Sequence, residues 1–410
     1  MKIVMLCDFY AESLEYQENL LVRYYRKHGH EVVVIASTFD SVFDYYNDLH
    51  DKNKPRRTYE DQGATIIKLP YRFNIINRLR AYVKIDDILE REAPDLIYVH
   101  DIMLNFPECV RYVKRNPACK MIMDYHADYT NSGKNAISRT ILHGVVRKWV
   151  LDRARPYLSG IFPIVPGGAV FLHEIYKVPY DLMEILPLGA DVDLASKVKA
   201  SNARRRLRTA YGLRESDFVI FTGGKLDHLK CTEALIDAVL PLDATNVHLF
   251  VVGDASDSHL EYRAMLHARA AGASNIRFTG WLSPTHVYEH LDMSDIAVFP
   301  ASQSILWQQA ICMGLPLLIG DRIKVANGKQ DVSYLNLESN MLILDDTKPM
   351  VQELSIHIRR LISDLELRSR MAAGAALVTA RVLDWNVLIE RTLRFNRHGG
   401  SQLKAERSAP

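Results

Sequence analysis

The stretch Asp295-Ile296-Ala297-Val298-Phe299-Pro300-Ala301-Ser302-Gln303-Ser304-Ile305-Leu306-Trp307-Gln308-Gln309-Ala310-Ile311-Cys312-Met313-Gly314-Leu315-Pro316 carries the pattern on which the fold turns. An apolar strand ends at Pro300, small polar residues make a turn, and a helix begins near Ile305. Gly314-Leu315-Pro316 then closes the helix and enters another strand. Strand, loop, helix and strand in succession is the unit of a parallel sheet, because parallel neighbours need a crossover. Unsatisfied N–H groups at such a helix start, aided by the helix dipole, favour a phosphate. Gln309, about one turn further in, has the chemistry to bond hydroxyls, although a helix needs no function to hold a glutamine there.

Outward from this stretch the alternation continues. Upstream it predicts strands at Phe218–Thr222, His248–Val252 and Ile276–Thr279, with helices at Thr232–Val239 and Leu260–Ala271; downstream it predicts a strand at Leu315–Ile319. The first forty residues repeat the theme: Lys2–Cys7 is apolar, Glu18–His28 has helical spacing, and Glu31–Ala36 is β-branched. Further strands are expected at Ala64–Leu69, Leu96–Val99 and Lys120–Asp124, with a helix at Ile85–Arg91. Two α/β domains in tandem follow, with a boundary near residues 187 to 205. Ligands of open α/β sheets bind beyond the carboxyl ends of the strands, so two such domains facing each other are expected to share an interdomain cleft. Gln352–Met371 and Ala380–Phe395 read as closing helices, and the polar tail after His398 as frayed.

Composition narrows the class of function. Of 410 residues, 51 are Lys or Arg and 49 Asp or Glu, a net +2 that leaves no bulk footprint for wrapping nucleic acid. The five cysteines, Cys7, Cys109, Cys119, Cys231 and Cys312, are odd in number, widely spaced and without a Cys-x-x-Cys pair. They suggest neither a disulfide framework nor a zinc site, and fit a reducing cytoplasm. The opening residues run directly into a strand with no secretory pattern, and nowhere do ~18 consecutive apolar residues occur, so membrane association is expected only as a peripheral contact.

A second loop carries chemistry. Phe221-Thr222-Gly223-Gly224-Lys225-Leu226-Asp227-His228-Leu229-Lys230 follows a strand and precedes a helix. Two glycines let backbone approach a ligand, and two lysines five apart can converge on an anion, which is the physics of a diphosphate site. Taken alone the loop reads equally as a Gly-Gly turn with solvated lysines. Its spacing matches neither a dinucleotide fingerprint nor a Walker loop.

In order, spacing and residue types the chain resembles a GT-B glycosyltransferase of the large retaining family four. The landmarks are Lys225 and Lys230, Val252-Gly253-Asp254, Phe278-Thr279-Gly280, Ser294-Asp295 before Pro300, and Met313-Gly314-Leu315-Pro316. More loosely, Gly29-His30-Glu31-Val32, Pro94-Asp95-Leu96-Ile97-Tyr98-Val99-His100, Pro187-Leu188-Gly189-Ala190-Asp191 and Asp384-Trp385 agree as well. The resemblance implies an N-terminal Rossmann-like acceptor-side domain over 1–190 and a nucleotide-sugar domain over 191–379. A helix over 380–396 would return to the first domain, and 397–410 would be a flexible tail.

The resemblance also implies roles. Lys225 and Lys230 would bind the donor diphosphate, with Gly223, Gly224, Gly280 and the turn Ser302, Gln303, Ser304 and Ile305 assisting. Gln309 stands where the family has its second Glu, at the nucleotide ribose. The first Glu falls on Ala301, which cannot bond a hydroxyl, so Ser302 or Gln303 substitutes or the donor is held differently. His126, in Met123-Asp124-Tyr125-His126-Ala127-Asp128, would sit beside the transferred sugar. The bulky, acidic loop Asp8–Glu18 replaces the family's glycine pair, leaving Tyr16, Gln17 and Glu18 as acceptor-side candidates. The pair in Asp191-Val192-Asp193 reads as capping rather than metal binding. No metal and no cofactor are expected beyond the nucleoside-diphosphate sugar itself, with UDP and GDP both open.

Two basic segments, Arg72–Lys84 and Ser138–Arg155, mix cations with aromatic and aliphatic residues at helical spacing. They make an anionic membrane surface a candidate partner, against the plainer reading of a solvated face. The function expected is retaining transfer of a sugar to a saccharide or lipid-linked saccharide in surface polysaccharide or glycan biosynthesis, in the cytoplasm or at the inner face of its membrane. The rivals are a noncatalytic sugar-nucleotide-binding or partner protein on the same fold, and a sugar-nucleotide epimerase.

Overall fold

A computed structural model describes residues 1–12, 15–39, 55–75, 78–133, 135–136, 138–242, 245–301, 303–320, 324–325, 328–329 and 332–394. The chain forms two compact units: unit 1 comprises Met1–Pro187 and the chain from Leu388 onward, and unit 2 comprises Leu188–Val387.

Unit 1 is built on strands β1 (Lys2–Leu6), β2 (Glu31–Ser37), β3 (Arg57–Asp61), β4 (Ala64–Leu69), β5 (Tyr71–Ile75), β6 (Leu79–Tyr82), β7 (Leu96–His100), β8 (Lys120–Tyr125) and β9 (Gly160–Pro163). Seven of them form one sheet in the order β3-β4-β2-β1-β7-β8-β9, parallel except for β3 on β4. Because helices cover both faces, strands such as Ile3–Leu6 and Ile97–Val99 are buried on every side chain and read as unbroken apolar runs. Each such aliphatic side chain contributes roughly 1.5–3 kcal/mol by leaving water. The segment Leu388–Thr392 belongs to this packing: Leu388 and Ile389 are buried, Tyr25 Oη and Thr392 Oγ1 are 2.5 Å apart, and Arg391 Nε donates to Glu184 at 2.7 Å.

Unit 2 adds β10 (Phe218–Gly223), β11 (Val247–Val252), β12 (Ile276–Gly280), β13 (Ile296–Phe299), β14 (Leu317–Ile319), the small pair β15 (Lys324–Val325) and β16 (Gly328–Lys329), and β17 (Met341–Ile343). Its main sheet is all parallel in the order β12-β11-β10-β13-β14-β17. Arg208, almost wholly buried, ties this unit together by donating to the carbonyls of Met293, Arg214, Glu215 and Asp217 and to Asp295 Oδ2.

Near the boundary expected at residues 187 to 205 the chain forms two helices, Val192–Ala200 and Ala203–Ala210, the first capped by Asp191 Oδ1 on Leu194 N at 3.0 Å. Two expectations need correction. The single helix expected over Gln352–Met371 is two, Met350–Ser363 and Leu365–Val378, because Asp364 leaves helical dihedrals and caps the second through Leu367 N. Basic segment Arg72–Lys84 is not a helix. Within it β5 and β6 pair antiparallel, Phe73 with Ala81 and Ile75 with Leu79, since aromatic and branched residues there alternate with polar ones. The tail expected over 397–410 lies outside the described residues.

Candidate functional site

In both main sheets the strand order reverses direction beside the first strand of the unit, so two neighbouring loops diverge there and leave a crevice. In unit 2 the crevice lies between the carboxyl ends of β10 and β13. Gly223 closes β10, and a Cβ on it would fall 2.3 Å from the Val252 carbonyl oxygen. Gly224 has φ +116°, in the left-handed region, and donates its N–H to Val252 O at 2.8 Å. Gly253, at φ +109°, donates to Gly280 O at 2.8 Å, and a Cβ there would stand 2.1 Å from Gly224 O. The tips of β10, β11 and β12 are thus locked backbone to backbone, and Gly280 belongs to the same lock.

After Gly224, Asp227 Oδ1 accepts from Leu229 N at 2.9 Å and turns the chain through a single 3₁₀ turn, His228–Lys230, that brings Lys230 back over the loop. Lys230 Nζ donates to Gln303 O at 2.9 Å. A Cβ on Gly224 would meet Ser304 Oγ at 3.4 Å and Lys230 Cε at 3.8 Å, so Gly224, Lys230, Gln303 and Ser304 share one small space. Burial lowers the Lys230 pKa, and Asp227 opposes that shift. A desolvated ammonium with one carbonyl contact retains donors for an anion. Lys225 is half-buried one residue after Gly224.

On the β13 side, Ser304 supplies its hydroxyl to Leu306 N at 3.3 Å and its carbonyl to Trp307 N at 3.0 Å, so two amides at the start of helix Leu306–Cys312 are already engaged. Ile305 is exposed at the N-cap, and Gln309 lies on the helix with a buried Oε1 that has no partner. Gln303 likewise has a buried, unpartnered side-chain Nε2. Ala301 is buried, and Ser302 lies outside the described residues.

Unit 1 holds a second constellation at the ends of β7 and β8. The register pairs His100 with Asp124, and His126 follows two residues on. Asp124 is fully buried, and its Oδ2 accepts from Tyr98 Oη at 2.9 Å and lies 3.2 Å from His126 Nε2. His100 Nδ1 stands 3.1 Å from the same oxygen, an ion-pair contact off the line of a hydrogen bond, and Asp101 N donates to Oδ1 at 3.2 Å. The two imidazoles lie 4.2 Å apart, tilted by 41°. Burial pushes the Asp124 carboxyl upward, but the His100 and His126 charges overcome it and hold the pKa well below the usual range. For His100, burial acts downward and the Asp124 charge prevails, raising it to about 10. Among the described residues these three are also the group with the composition of a cation site, their ligand atoms all within 4.8 Å.

The acceptor-side candidates sit on one element. Tyr16 caps helix Gln17–Lys27 and is exposed, Gln17 is buried with both amide atoms unpartnered, and Glu18 is half-buried in the first turn. Glu18 acts electrostatically on His100, which brings this helix start into the neighbourhood of the histidines. Sequence reasoning missed His100 and Asp124 as site residues. The signal was their position at two strand ends, but only the β7–β8 register makes them neighbours.

Comparison with known proteins agrees with this layout. Residues 203–377 match the family model "Glycosyl transferases group 1", and residues 18–160 match "Glycosyl transferase 4-like domain". A D-inositol 3-phosphate glycosyltransferase of Stackebrandtia nassauensis is 25% identical over 227 residues, covering 52% of this chain and 48% of that protein. The chain therefore spans about half the length of this curated relative. Among solved structures, Anabaena HepE crystallised with UDP and glucose superposes with a TM-score of 0.62 at 17% identity, over 96% of this chain and 99% of HepE. A glycosyltransferase from Rickettsia africae gives 0.68 at 12% identity, over 96% of each chain. At such identities the likeness speaks for the fold.

Proposed function

Because the chain belongs to the group 1 glycosyltransferases and carries their two-domain GT-B fold, we propose that it transfers a sugar from a nucleoside diphosphate to a saccharide or lipid-linked saccharide, retaining anomeric configuration. The observation that supports the donor half is the convergence of Gly224, Lys230, Gln303 and Ser304 at the β10–β13 crevice. A pyrophosphate there meets a desolvated ammonium and closely approachable glycine backbone, which together stabilise negative charge. HepE was crystallised with UDP and with UDP-glucose, which favours a uridine donor without excluding guanosine.

In the proposed reaction the bond between the anomeric carbon and the diphosphate oxygen breaks and its electron pair leaves with the diphosphate. Lys225 and Lys230 neutralise the departing charge as the sugar becomes oxocarbenium-like. The acceptor hydroxyl attacks from the face the diphosphate vacates, and its proton passes to a departing phosphate oxygen. His126, held by Asp124, is assigned a hydroxyl of the transferred sugar. With Ala301 where the family has a carboxylate, the unpartnered Gln303 amide is the substitute donor, and Gln309 is assigned to the ribose. Tyr16, Gln17 and Glu18 are assigned to the acceptor. No metal is required by this scheme.

Among the described residues no helix is long and apolar enough to cross a membrane. We place the enzyme in the cytoplasm, reaching the membrane's inner face peripherally, in surface glycan assembly. A donor panel read by thermal unfolding tests the reading: UDP or GDP sugars should raise the melting temperature, and added acceptor should release nucleotide. Saturable binding without release would instead identify a noncatalytic protein.

A further inference from the structure

The two basic segments that stood apart in the sequence meet in unit 1. Arg147 Nη2, on the π-helical stretch Ser138–Arg147, donates to Arg78 O beside β6 at 3.3 Å. Between them opens a cavity of about 540 Å³ walled by Leu79, Ile141, Leu142 and Val146, with Arg78 and Ser138 at its lining. The π-helical stretch runs on into the α-helix Lys148–Ala154. Its wide turn needs a glycine: a Cβ at Gly144 would lie 2.9 Å from Arg139 O.

Along this element Ile141, Val145 and Trp149 recur every four residues and are 58%, 60% and 53% exposed. Burial elsewhere on the element falls on His143, Val150 and Leu151, so the exposed row is the face turned away from the core. Arg153 lies over the Trp149 ring at 3.6 Å. Residues 138–155 hold five cations (Arg139, Arg147, Lys148, Arg153, Arg155) against one anion, Asp152, a net +4 in a chain of net +2. Lys148 and Arg155 pair with Asp152 and Arg147 is turned to Arg78 O, whereas Arg153 continues the exposed row beyond Trp149. An aromatic and aliphatic row that ends in a cation, on a segment of net positive charge, is complementary to a surface that is apolar below and anionic above.

We propose that this face docks on an anionic lipid bilayer, with Ile141, Val145 and Trp149 entering the headgroup layer and the neighbouring cations meeting lipid phosphates. The cavity gives a lipid's neck region an apolar seat at the same level. This deepens the membrane placement made above and is separable from the donor chemistry, since vesicle binding requires neither nucleotide sugar nor turnover. Each cation near such a surface adds roughly fivefold to partitioning at low salt, and that share fades as salt rises.

The test is sedimentation of the full chain with phosphatidylglycerol–phosphatidylcholine vesicles and with phosphatidylcholine alone. Binding is expected only with the anionic vesicles and should weaken with salt. The triple variant Ile141→Ser/Val145→Ser/Trp149→Ser and the charge variant Arg139→Glu/Arg153→Glu should each lower the partition coefficient at least tenfold, with unchanged melting temperature. In a Trp281→Phe background, which removes the other exposed tryptophan, Trp149 emission should shift to the blue on vesicle addition. Absence of sedimentation, equal binding to neutral vesicles, or a triple variant within twofold of the parent would overturn the proposal, while donor-induced thermal stabilisation would still report on the donor site alone.

Discussion

The ammonium of Lys230 donates to the carbonyl oxygen of Gln303 across 2.9 Å, joining two loops that are 73 positions apart in the chain. The loop after β10 and the loop after β13 are therefore braced against each other by a group that the proposed reaction also uses.

Replacing Lys230 by Ala should consequently do two things. Turnover per bound donor should fall by about 10²–10³, the range found when one preorganised charge-stabilising donor is removed. Thermal stabilisation by nucleoside diphosphate should also fall, because the brace to Gln303 is lost with the charge. Initial rates and melting curves measured on the same variant check both, and unchanged kinetics would remove the diphosphate role.

Gly253→Ala introduces a methyl 2.1 Å from Gly224 O at a φ of +109°. The strand tips must separate, at a cost of about 2–4 kcal/mol. Denaturant titration should show that loss, with the β10 loop displaced so that donor no longer stabilises the remaining folded protein.

The buried Arg208 guanidinium bonds four carbonyls and Asp295. Arg208→Ala leaves those acceptors and one carboxylate without it, and should lower stability by about 3–5 kcal/mol. Equilibrium unfolding against Arg206→Ala, a more exposed neighbour, provides the comparison.

Around Asp124 the pH dependence has a definite sign. The His100 pKa rises from 6.5 to about 10 on folding, so its stabilising share is complete below about 6.5 and disappears as pH climbs through about 10. The Asp124 share runs the other way, present above the ordinary carboxyl range and lost as pH falls through its depressed value. His100→Gln should therefore flatten the decline in unfolding midpoint between pH 7 and 10. A decline as steep as the parent's would show that His100 is not its source.

Asp124→Asn should reduce turnover about as much as His126→Ala, roughly tenfold to a hundredfold, because the histidine loses the group that orients it. The double variant should be no slower than either alone, a non-additivity that initial rates can read.

Most strands were legible because parallel strands buried on two faces are written as apolar runs: Ala64–Leu69 and Ile296–Phe299 fall where expected. What failed was decided by single polar atoms or by pairing. Asp364 divides one amphipathic pattern into two helices through a side-chain cap, and β5–β6 acquire their form from each other. The candidate site divides the same way. Gly224 and Lys230 were readable from spacing, whereas the partnership of Lys230 with a backbone carbonyl, and of His100 with Asp124, exists only once strands far apart in sequence are laid side by side.

The glycine lock at the tips of β10, β11 and β12 bears on how such a protein can diverge. With main chain touching main chain at Gly223, Gly224, Gly253 and Gly280, the spacing between strand tips is fixed by hydrogen-sized gaps. New donor preferences cannot arise there by exchanging side chains. They must arise by recomposing the segments that leave β10 and β13, Lys225 to Lys230 on one side and Ala301 to Ile305 on the other, while the frame of locked strand tips stays the same.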